Sequence, residues 1–131
     1  MRVLVDTSVW SLALRRKGPA HRSVEKLASL LKEDEDVVLT GSILQEILHA
    51  FRSESLFGRV ARHLEPFPLL EMERADFVAA ASLHRTCASS GVNVSTVDCQ
   101  IATAAIRHDC FLLCADKDFE RIARLSPLML A

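Results

Sequence analysis

The chain is poor in aromatic residues: it has no tyrosine, a single tryptophan and six phenylalanines among its 131 residues. Proteins that bind single-stranded nucleic acid by stacking bases on aromatic side chains need more such residues than this. The net charge is also low, at −1, so the strongly basic signature of a general nucleic-acid-binding protein is missing. Overall charge does not decide the substrate, however, because an acidic site with separate arginine patches would also sum to about zero.

Long apolar stretches are absent as well. No run approaches the roughly 18 consecutive apolar residues that a membrane-spanning helix needs. The N-terminus reaches Asp6 after only three apolar residues, which excludes the apolar segment of a signal peptide. We therefore expect a cytoplasmic protein with no membrane partner.

Cysteine pairing motifs are missing too. The four cysteines are Cys87, Cys99, Cys110 and Cys114, none forms a CxxC pair, and no histidine spacing resembles a zinc site. Buried free thiols are therefore predicted. Half of the residues are hydrophobic and a quarter are charged, which is enough for a core without disulfides. We expect one compact domain over residues 1–131.

Three short apolar runs, at residues 3–5, 37–39 and 111–114, are bounded by polar or turn residues. Such runs are typical of strands that are buried on both faces of a parallel sheet. A weaker strand is predicted near residues 67–70, and residues 127–130 can add an edge strand.

Helical patterns lie between these runs. Two stripes at i, i+3, i+4 and i+7 are Val24, Leu27, Ala28, Leu31 and Leu44, Ile47, Leu48, Phe51. A longer helix is predicted over residues 73–89, with a stripe of Phe77, Ala80, Ala81, His84 and Cys87, and it is closed by Gly91. Alternating strands and helices predict an α/β fold with a mostly parallel sheet flanked by helices.

Four acidic residues, Asp6, Glu46, Asp98 and Asp116, each stand where an apolar segment meets a turn or the first turn of a helix. A carboxylate at the carboxyl end of a buried strand points into the crevice where open α/β sheets bind ligands. Several carboxylates gathered there repel one another, and a hard divalent cation relieves the repulsion. The pattern therefore indicates a small metal-dependent phosphodiesterase.

Helix caps place these acids more finely. Ser42 and Gln45 have capping-box spacing, which predicts a helix that starts at Ser42 with Glu46 in its first turns. Ser95 or Thr96 can cap the next helix, so that Asp98 falls in the opening turn, and Thr7 or Ser8 begins the helix after Asp6. Each acid alone can also be explained as a helix-dipole residue. Four acids in equivalent places make that explanation weaker.

The whole chain resembles the PIN domain, and within it the VapC-type toxins of bacterial and archaeal toxin–antitoxin pairs. The segments that carry the resemblance are VLVDTSVW (3–10), GSILQEIL (41–48), VDCQIATAA (97–105) and LLCADKDF (112–119). Each segment is weak alone, but together they occur in order at the length of that family. The resemblance implies a three-layer α/β/α domain.

The resemblance makes Asp6, Glu46, Asp98 and Asp116 the catalytic acids that bind Mg²⁺ or Mn²⁺. Asp118 either supports the site from outside the ligand set or caps the short helix that follows it. Thr7 is a candidate for orienting Asp6 or a substrate phosphate, although capping is an equal alternative. The implied activity is an endoribonuclease that hydrolyses tRNA or another structured RNA with a metal-activated water. A VapB-like antitoxin and a homodimer are the implied partners.

Candidate RNA contacts are two groups of cations, Arg15, Arg16, Lys17 and Arg52, Arg59, Arg62. The first group precedes Gly18-Pro19, so it can equally be a set of cations at a helix C-terminus. No histidine shares a motif with the acids, and no nucleophile-elbow sequence occurs.

Three alternatives to a ribonuclease remain. One is a receiver-type phosphoacceptor domain, which needs a phosphorylatable aspartate on a middle strand and a lysine on a late one. Another is a non-catalytic PIN-like module that binds RNA or protein. A DNA-directed nuclease of the same fold is the third, because the acids do not read the 2′-hydroxyl.

Overall fold

A computed structural model of the chain describes residues 1–15 and 20–131. The elements follow in the order β1 (Arg2–Val5), α1 (Thr7–Leu14), α2 (Arg22–Lys32), β2 (Asp36–Thr40), α3 (Gly41–His49), α4 (Glu54–Leu64), β3 (Leu69–Leu70), α5 (Arg74–Ser89), α6 (Thr96–Arg107), β4 (Phe111–Leu113), α7 (Asp118–Arg124) and β5 (Met129–Leu130). All the predicted strands are confirmed, including the two short ones, β3 and β5.

The strands form one sheet in the order β3-β2-β1-β4-β5, and every pairing is parallel. From β1 the chain moves outward through β2 to β3, then crosses back to β4 and moves outward in the other direction. Right-handed crossovers in opposite directions place their helices on opposite faces of a sheet. In agreement, α1, α2, α3 and α4 pack among themselves, as do α5, α6 and α7. The predicted three-layer α/β/α architecture is confirmed.

The core is centred on β1, because this strand has neighbours on both edges and helices on both faces. Val3, Leu4 and Val5 are completely buried, and Leu112 on the adjacent β4 is also completely buried. Removing the side chain of such a residue, as in Leu4→Ala, costs about 2–5 kcal/mol. The strands that carry the predicted acids are therefore among the most firmly held parts of the molecule.

The predicted N-cap of α3, Ser42, is wrong by two residues. The N-cap is Thr40, whose Oγ1 accepts a hydrogen bond from the backbone N–H of Ile43 at 3.2 Å. Ser42 lies inside the helix, with its hydroxyl 3.0 Å from that of Thr40. The capping-box spacing was misleading, because a threonine that ends a buried strand is already in the extended conformation that an N-cap requires.

Two predicted helix faces also need correction. In α2 the buried side chains are Ser23, Leu27 and Leu30, whereas Leu31 of the predicted stripe is 43% exposed. In α5, Ala80 and Cys87 are buried as predicted, but Phe77 is 48% exposed. Both stripes were predicted from the spacing of apolar residues alone. In the structure, tertiary packing turns a different face of each helix toward the core.

The end of α5 and the cysteines agree with the sequence. Gly91 has φ +74°, and the backbone N–H of Val92 donates to the carbonyl of Cys87 at 2.8 Å, as in a Schellman motif. All four cysteines are free, and three of them are buried. Within the described residues no helix has the length and apolarity required to cross a membrane.

Candidate active site

The strand order changes direction between the adjacent, parallel strands β1 and β4. The strands that follow β1 (β2 and β3) are added on one side of this pair, and β5, which follows β4, is added on the other. Open parallel sheets bind ligands in the crevice at the carboxyl ends of the strands at this kind of switch point. Asp6 directly follows β1, and Asp116 lies three residues beyond the end of β4. The two acids that the sequence places after strands therefore meet at the switch point.

Asp6 is 6% exposed and is held by the first turn of α1. Its Oδ2 accepts hydrogen bonds from the hydroxyl of Ser8 at 2.6 Å and from the backbone N–H of Ser8 at 3.1 Å. Its own backbone N–H donates to the carbonyl of Leu113 at 2.9 Å. One carboxylate oxygen is thus fixed by the protein.

Ser8 joins the two strands at the site, because its hydroxyl also accepts a hydrogen bond from the backbone N–H of Ala115 at 3.0 Å. The sequence interpretation offered Thr7 as a candidate for orienting Asp6 or a substrate phosphate, with helix capping as an equal alternative. The Oγ1 of Thr7 is buried without a hydrogen-bond partner among the described residues, so the hydroxyl that orients Asp6 is that of Ser8. The Asp-x-Ser spacing of an N-cap could have identified Ser8.

Asp98, Asp116 and Asp118 form the tightest acidic group. Each offers one carboxylate oxygen, and the three oxygens lie within 4.8 Å of one another. Asp98 lies in the first turn of α6, where Ser95 is the N-cap, as predicted. Carboxylates from two separate segments therefore converge.

Asp118 does not cap α7. The N-cap is Lys117, which makes no side-chain hydrogen bond, and Asp118 is the first residue of the helix. Its backbone N–H donates to Oδ1 of Asp116 at 2.9 Å, and its carboxylate lies 3.6 Å from the guanidinium of Arg121. The capping alternative for Asp118 was wrong, and the residue faces the site beside two of the predicted ligands.

Glu46 lies on α3, outside this group of three carboxylates. Desolvation raises the pKa of the Glu46 carboxyl, and the charge of Asp6 raises it further. The two carboxylates are therefore close enough to interact, which adds α3 to the elements that border the site.

Burial is the main cause of the raised pKa values at the site, and repulsion between the acids adds to it. Burial, with added contributions from Asp6, Asp116 and Asp118, raises the pKa of Asp98 to about 6. Burial also raises the pKa of Asp6, although the hydrogen bonds from Ser8 oppose that rise. Such a set of oxygens fits a hard divalent cation, whose charge would restore the ionised form of each carboxyl.

Two clefts adjoin the acids, one at Glu46 and one at Asp116. The cleft at Glu46 has a volume of about 420 Å³ and is lined by Thr7, Ser11, Arg15, Ser42, Gln45, Glu46, His49, Ala50 and Val97. Arg15 is thus beside the acidic site, as an RNA contact would require. Arg16 and Lys17 lie outside the described residues. Arg52, Arg59 and Arg62 are exposed on and before α4.

Comparison with known proteins agrees with this geometry. The family model described as PIN domain matches residues 3–125. The chain is 33% identical to VapC ribonuclease Mb1587 of Mycobacterium bovis and to ribonuclease VapC11 of Mycobacterium tuberculosis H37Rv. The matches cover 98% of this chain and 97% of each relative.

Solved structures share the fold. A VapBC2 complex from Rickettsia felis, bound to a DNA fragment from its promoter, matches with a TM-score of 0.79 at 16% identity, covering 100% of this chain and 98% of the other. FitAcB from Neisseria gonorrhoeae matches with a TM-score of 0.71 at 22% identity, covering 98% and 95%. The sheet order, the acids at its switch point and the match over residues 3–125 have one explanation: the chain belongs to the PIN-domain family, as a member of the VapC type.

Proposed function

We propose that this chain is a divalent-metal-dependent endoribonuclease that acts as the toxin of a VapBC-type pair. The observation that carries the proposal is the convergence of Asp98, Asp116 and Asp118 within 4.8 Å, next to the buried Asp6 at the sheet switch point. Like charges held this close repel one another, and a bound cation would relieve that repulsion. The ribonuclease relatives, 33% identical over nearly the whole chain, support RNA as the substrate.

Asp6, Glu46, Asp98 and Asp116 are the proposed ligands, and Asp118 either joins them or holds a bound water. A divalent cation there would provide a water nucleophile at neutral pH and screen the charge that develops at phosphorus. Ser8 occupies Oδ2 of Asp6 with two hydrogen bonds, so Oδ1 is the proposed ligand atom. The carboxylates themselves contribute position and negative charge.

Mg²⁺ or Mn²⁺ is the proposed ion, because all the available donors are carboxylate oxygens. Three of the four cysteines are buried, and burial raises the pKa of the Cys114 thiol to about 12. Thiolate ligands, which would favour zinc, are therefore not provided by this site.

The proposed partners are a VapB-like antitoxin and a second copy of the chain. The matching structures are VapBC and FitAB complexes, which supports an antitoxin for this chain. A basic side chain from the antitoxin, placed among the acids, would replace the cation and block hydrolysis. Light scattering that finds only a monomer would contradict the dimer. A cytoplasmic location is part of the same proposal, because the proposed RNA substrate and antitoxin occur there.

Cleavage of bulk tRNA and of a mixed RNA pool by the antitoxin-free protein tests the activity. We expect discrete cuts with Mg²⁺ or Mn²⁺ that disappear with EDTA and in the Asp98→Asn variant. Asp109→Asn is the matched control, because Asp109 lies just beyond the other end of α6, is exposed, and has φ 53°, which asparagine tolerates. Equal cleavage by wild type and Asp98→Asn would refute the mechanism.

DNA of the same sequence, offered in parallel, separates the ribonuclease from a DNA-directed nuclease. We expect no cleavage of DNA, and cleavage of DNA with RNA left intact would reverse the assignment. A folded, metal-bound protein that cuts neither polymer would instead support the non-catalytic binding module.

A further inference from the structure

A second cleft, with a volume of about 480 Å³, opens on the β4 side of the acids. We propose that it is a phosphate-binding subsite, which holds a backbone phosphate of the RNA strand next to the bond that is cleaved. This inference rests on the proposed function and adds to it the residues that position the substrate. None of these residues was identified from the sequence.

The cleft is built by four elements: the start of α2, the carboxyl end of β4, the start of α7 and the end of β5. Its basic lining residues are His21, Arg22, Lys26 and Lys117. Asp116 forms part of the wall, and Asp116 also belongs to the acidic group. The cleft and the acids therefore share a border, and a ligand in one lies next to the other.

The cations in the cleft are free to bind an anion. In residues 1–15 and 20–131, no carboxylate forms an ion pair with Arg22, Lys26 or Lys117. The acids in the lining are Asp116 and Glu120, and Asp116 is directed to the acidic group. Among the lining side chains of the described residues, three cations without an ion-pair partner outnumber these two acids, which contrasts with the adjoining acidic site.

His21 adds an oriented donor. Its Nδ1 accepts a hydrogen bond from the backbone N–H of Ser23 at 3.1 Å, so the proton of the neutral ring is on Nε2. The hydroxyl of Ser23 lies 2.7 Å from the same Nδ1, and Ser23 is only 5% exposed. The ring is thus fixed as the N-cap of α2, and the N-terminus of that helix contributes further positive potential.

RNA explains this arrangement better than an acidic protein segment does. A polyanion that is cut at a carboxylate cluster needs cations beside the cluster to hold it against repulsion before the reaction. Only the strand that is being cut is required to pass both Asp116 and the cleft that Asp116 borders. An acidic segment of a protein partner has no reason to be placed against further carboxylates.

The experiment measures RNA binding in the Asp98→Asn background, so that no cleavage occurs. One variant adds Arg22→Gln, Lys26→Gln and Lys117→Gln. The matched control adds Lys32→Gln, Arg85→Gln and Arg124→Gln, which remove the same charge from exposed positions that do not line the cleft. The probes are bulk tRNA and, separately, the cognate antitoxin, and circular dichroism verifies the fold of each variant.

We expect the cleft variant to bind tRNA roughly tenfold more weakly than the control at physiological salt, with unchanged antitoxin binding. Each phosphate contact contributes about 0.7 to the salt dependence of single-stranded RNA binding, so loss of the one phosphate held by the subsite should lower the slope of log Kd against log salt by about 0.7. Equal tRNA binding by the two variants would overturn the subsite. So would a loss confined to the antitoxin, which would assign the cleft to the protein partner.

Cleavage assays keep this inference distinct from the proposed function. With Asp98 intact, the cleft substitutions should raise KM and leave Mn²⁺ affinity unchanged, because they remove a substrate contact and no metal ligand. If the wild type cleaves RNA and the cleft variant has an unchanged KM, the subsite is refuted and the nuclease proposal is retained. If the wild type does not cleave RNA, the nuclease proposal is refuted, and the difference in tRNA binding between the cleft variant and its control decides whether the cleft binds RNA.

Discussion

The acidic site has two parts that the fold holds in opposite ways. Asp6 is buried, and one of its oxygens is occupied by two hydrogen bonds from Ser8. Asp98, Asp116 and Asp118 are less buried, and Arg121 lies 3.6 Å from Asp118 as its ion-pair partner. The first part is satisfied by the protein, and the second is left to be satisfied by something else.

This difference separates position from binding. A carboxylate with fixed hydrogen bonds keeps its geometry whether or not a ligand is present. Carboxylates that are held by fewer hydrogen bonds and lie close together repel one another, and a bound cation relieves that repulsion, so their affinity for a cation is high and their contribution to stability is unfavourable. We expect substitutions in the two parts to affect activity and stability in different proportions.

The largest effect is expected from Asp98→Asn. Activity should fall by roughly 10³-fold or more, as for other catalytic carboxylates. The metal-free protein should be at least as stable as wild type, because one of the repelling charges is gone. Initial cleavage rates and thermal unfolding measure both quantities. A marked loss of stability would mean that Asp98 is structural.

Ser8→Ala should affect both quantities. It removes the hydroxyl that donates to Asp6 and accepts from Ala115. Leaving buried polar groups unpaired costs about 1–3 kcal/mol. Loss of a residue that orients a metal ligand lowers metal affinity about 10–100-fold. Urea unfolding and Mn²⁺ titration test this, with Ser82→Ala on the exposed surface of α5 as the control. Unchanged Mn²⁺ affinity would contradict the orienting role.

The pH dependence of the metal-free protein sharpens the comparison further. The pKa of Asp98 is raised from 3.8 to about 6, so the folded state keeps this proton to a higher pH than the unfolded chain. Its contribution to stability is therefore fully present below pH 3.8 and is lost as the pH rises to about 6. Unfolding curves across this range should show a steeper decline for wild type than for Asp98→Asn. Saturating Mg²⁺ should reverse the decline above pH 6. Parallel curves would contradict the raised pKa.

Asp118→Asn should give the smallest effect. Asp118 already interacts with Arg121, so its charge is partly compensated. We expect Mn²⁺ affinity to fall only a few-fold, because an exposed charge pair contributes about 0–1 kcal/mol. Arg121→Gln should raise Mn²⁺ affinity slightly, because it frees the carboxylate. If both substitutions lower the affinity, Arg121 supports the site instead of competing for it.

The sequence predicts the strands of the sheet well, and it also predicts which elements carry Asp6 and Asp98, because both depend on local patterns. An apolar run such as residues 3–5 is buried in any parallel sheet, and an acid directly after it must lie at the carboxyl edge. Asp98 was correctly placed in a first turn because Ser95 carries the local capping signal. These features need no knowledge of the partner strand.

Other features depend on tertiary neighbours, and the sequence does not predict them. Leu31 and Phe77 are apolar at helical spacing, but α2 and α5 turn other residues toward the core. Ser8 is recognisable as a bridge only when β4 is known to place Ala115 beside it. The basic cleft joins residues near positions 22 and 117, which no motif links along the chain.

The pairing of β1 with β4 has a consequence for synthesis. Val3 is aligned with Phe111, so the central strand acquires its second neighbour only when more than 100 residues have followed it. At about 5–20 residues per second, this delay is on the order of 5–20 seconds. During that interval Asp6 exists without Asp116 or Asp118, and the growing chain has no complete site. The proposed nuclease therefore has its acids together only when the last third of the chain has been placed beside the first strand.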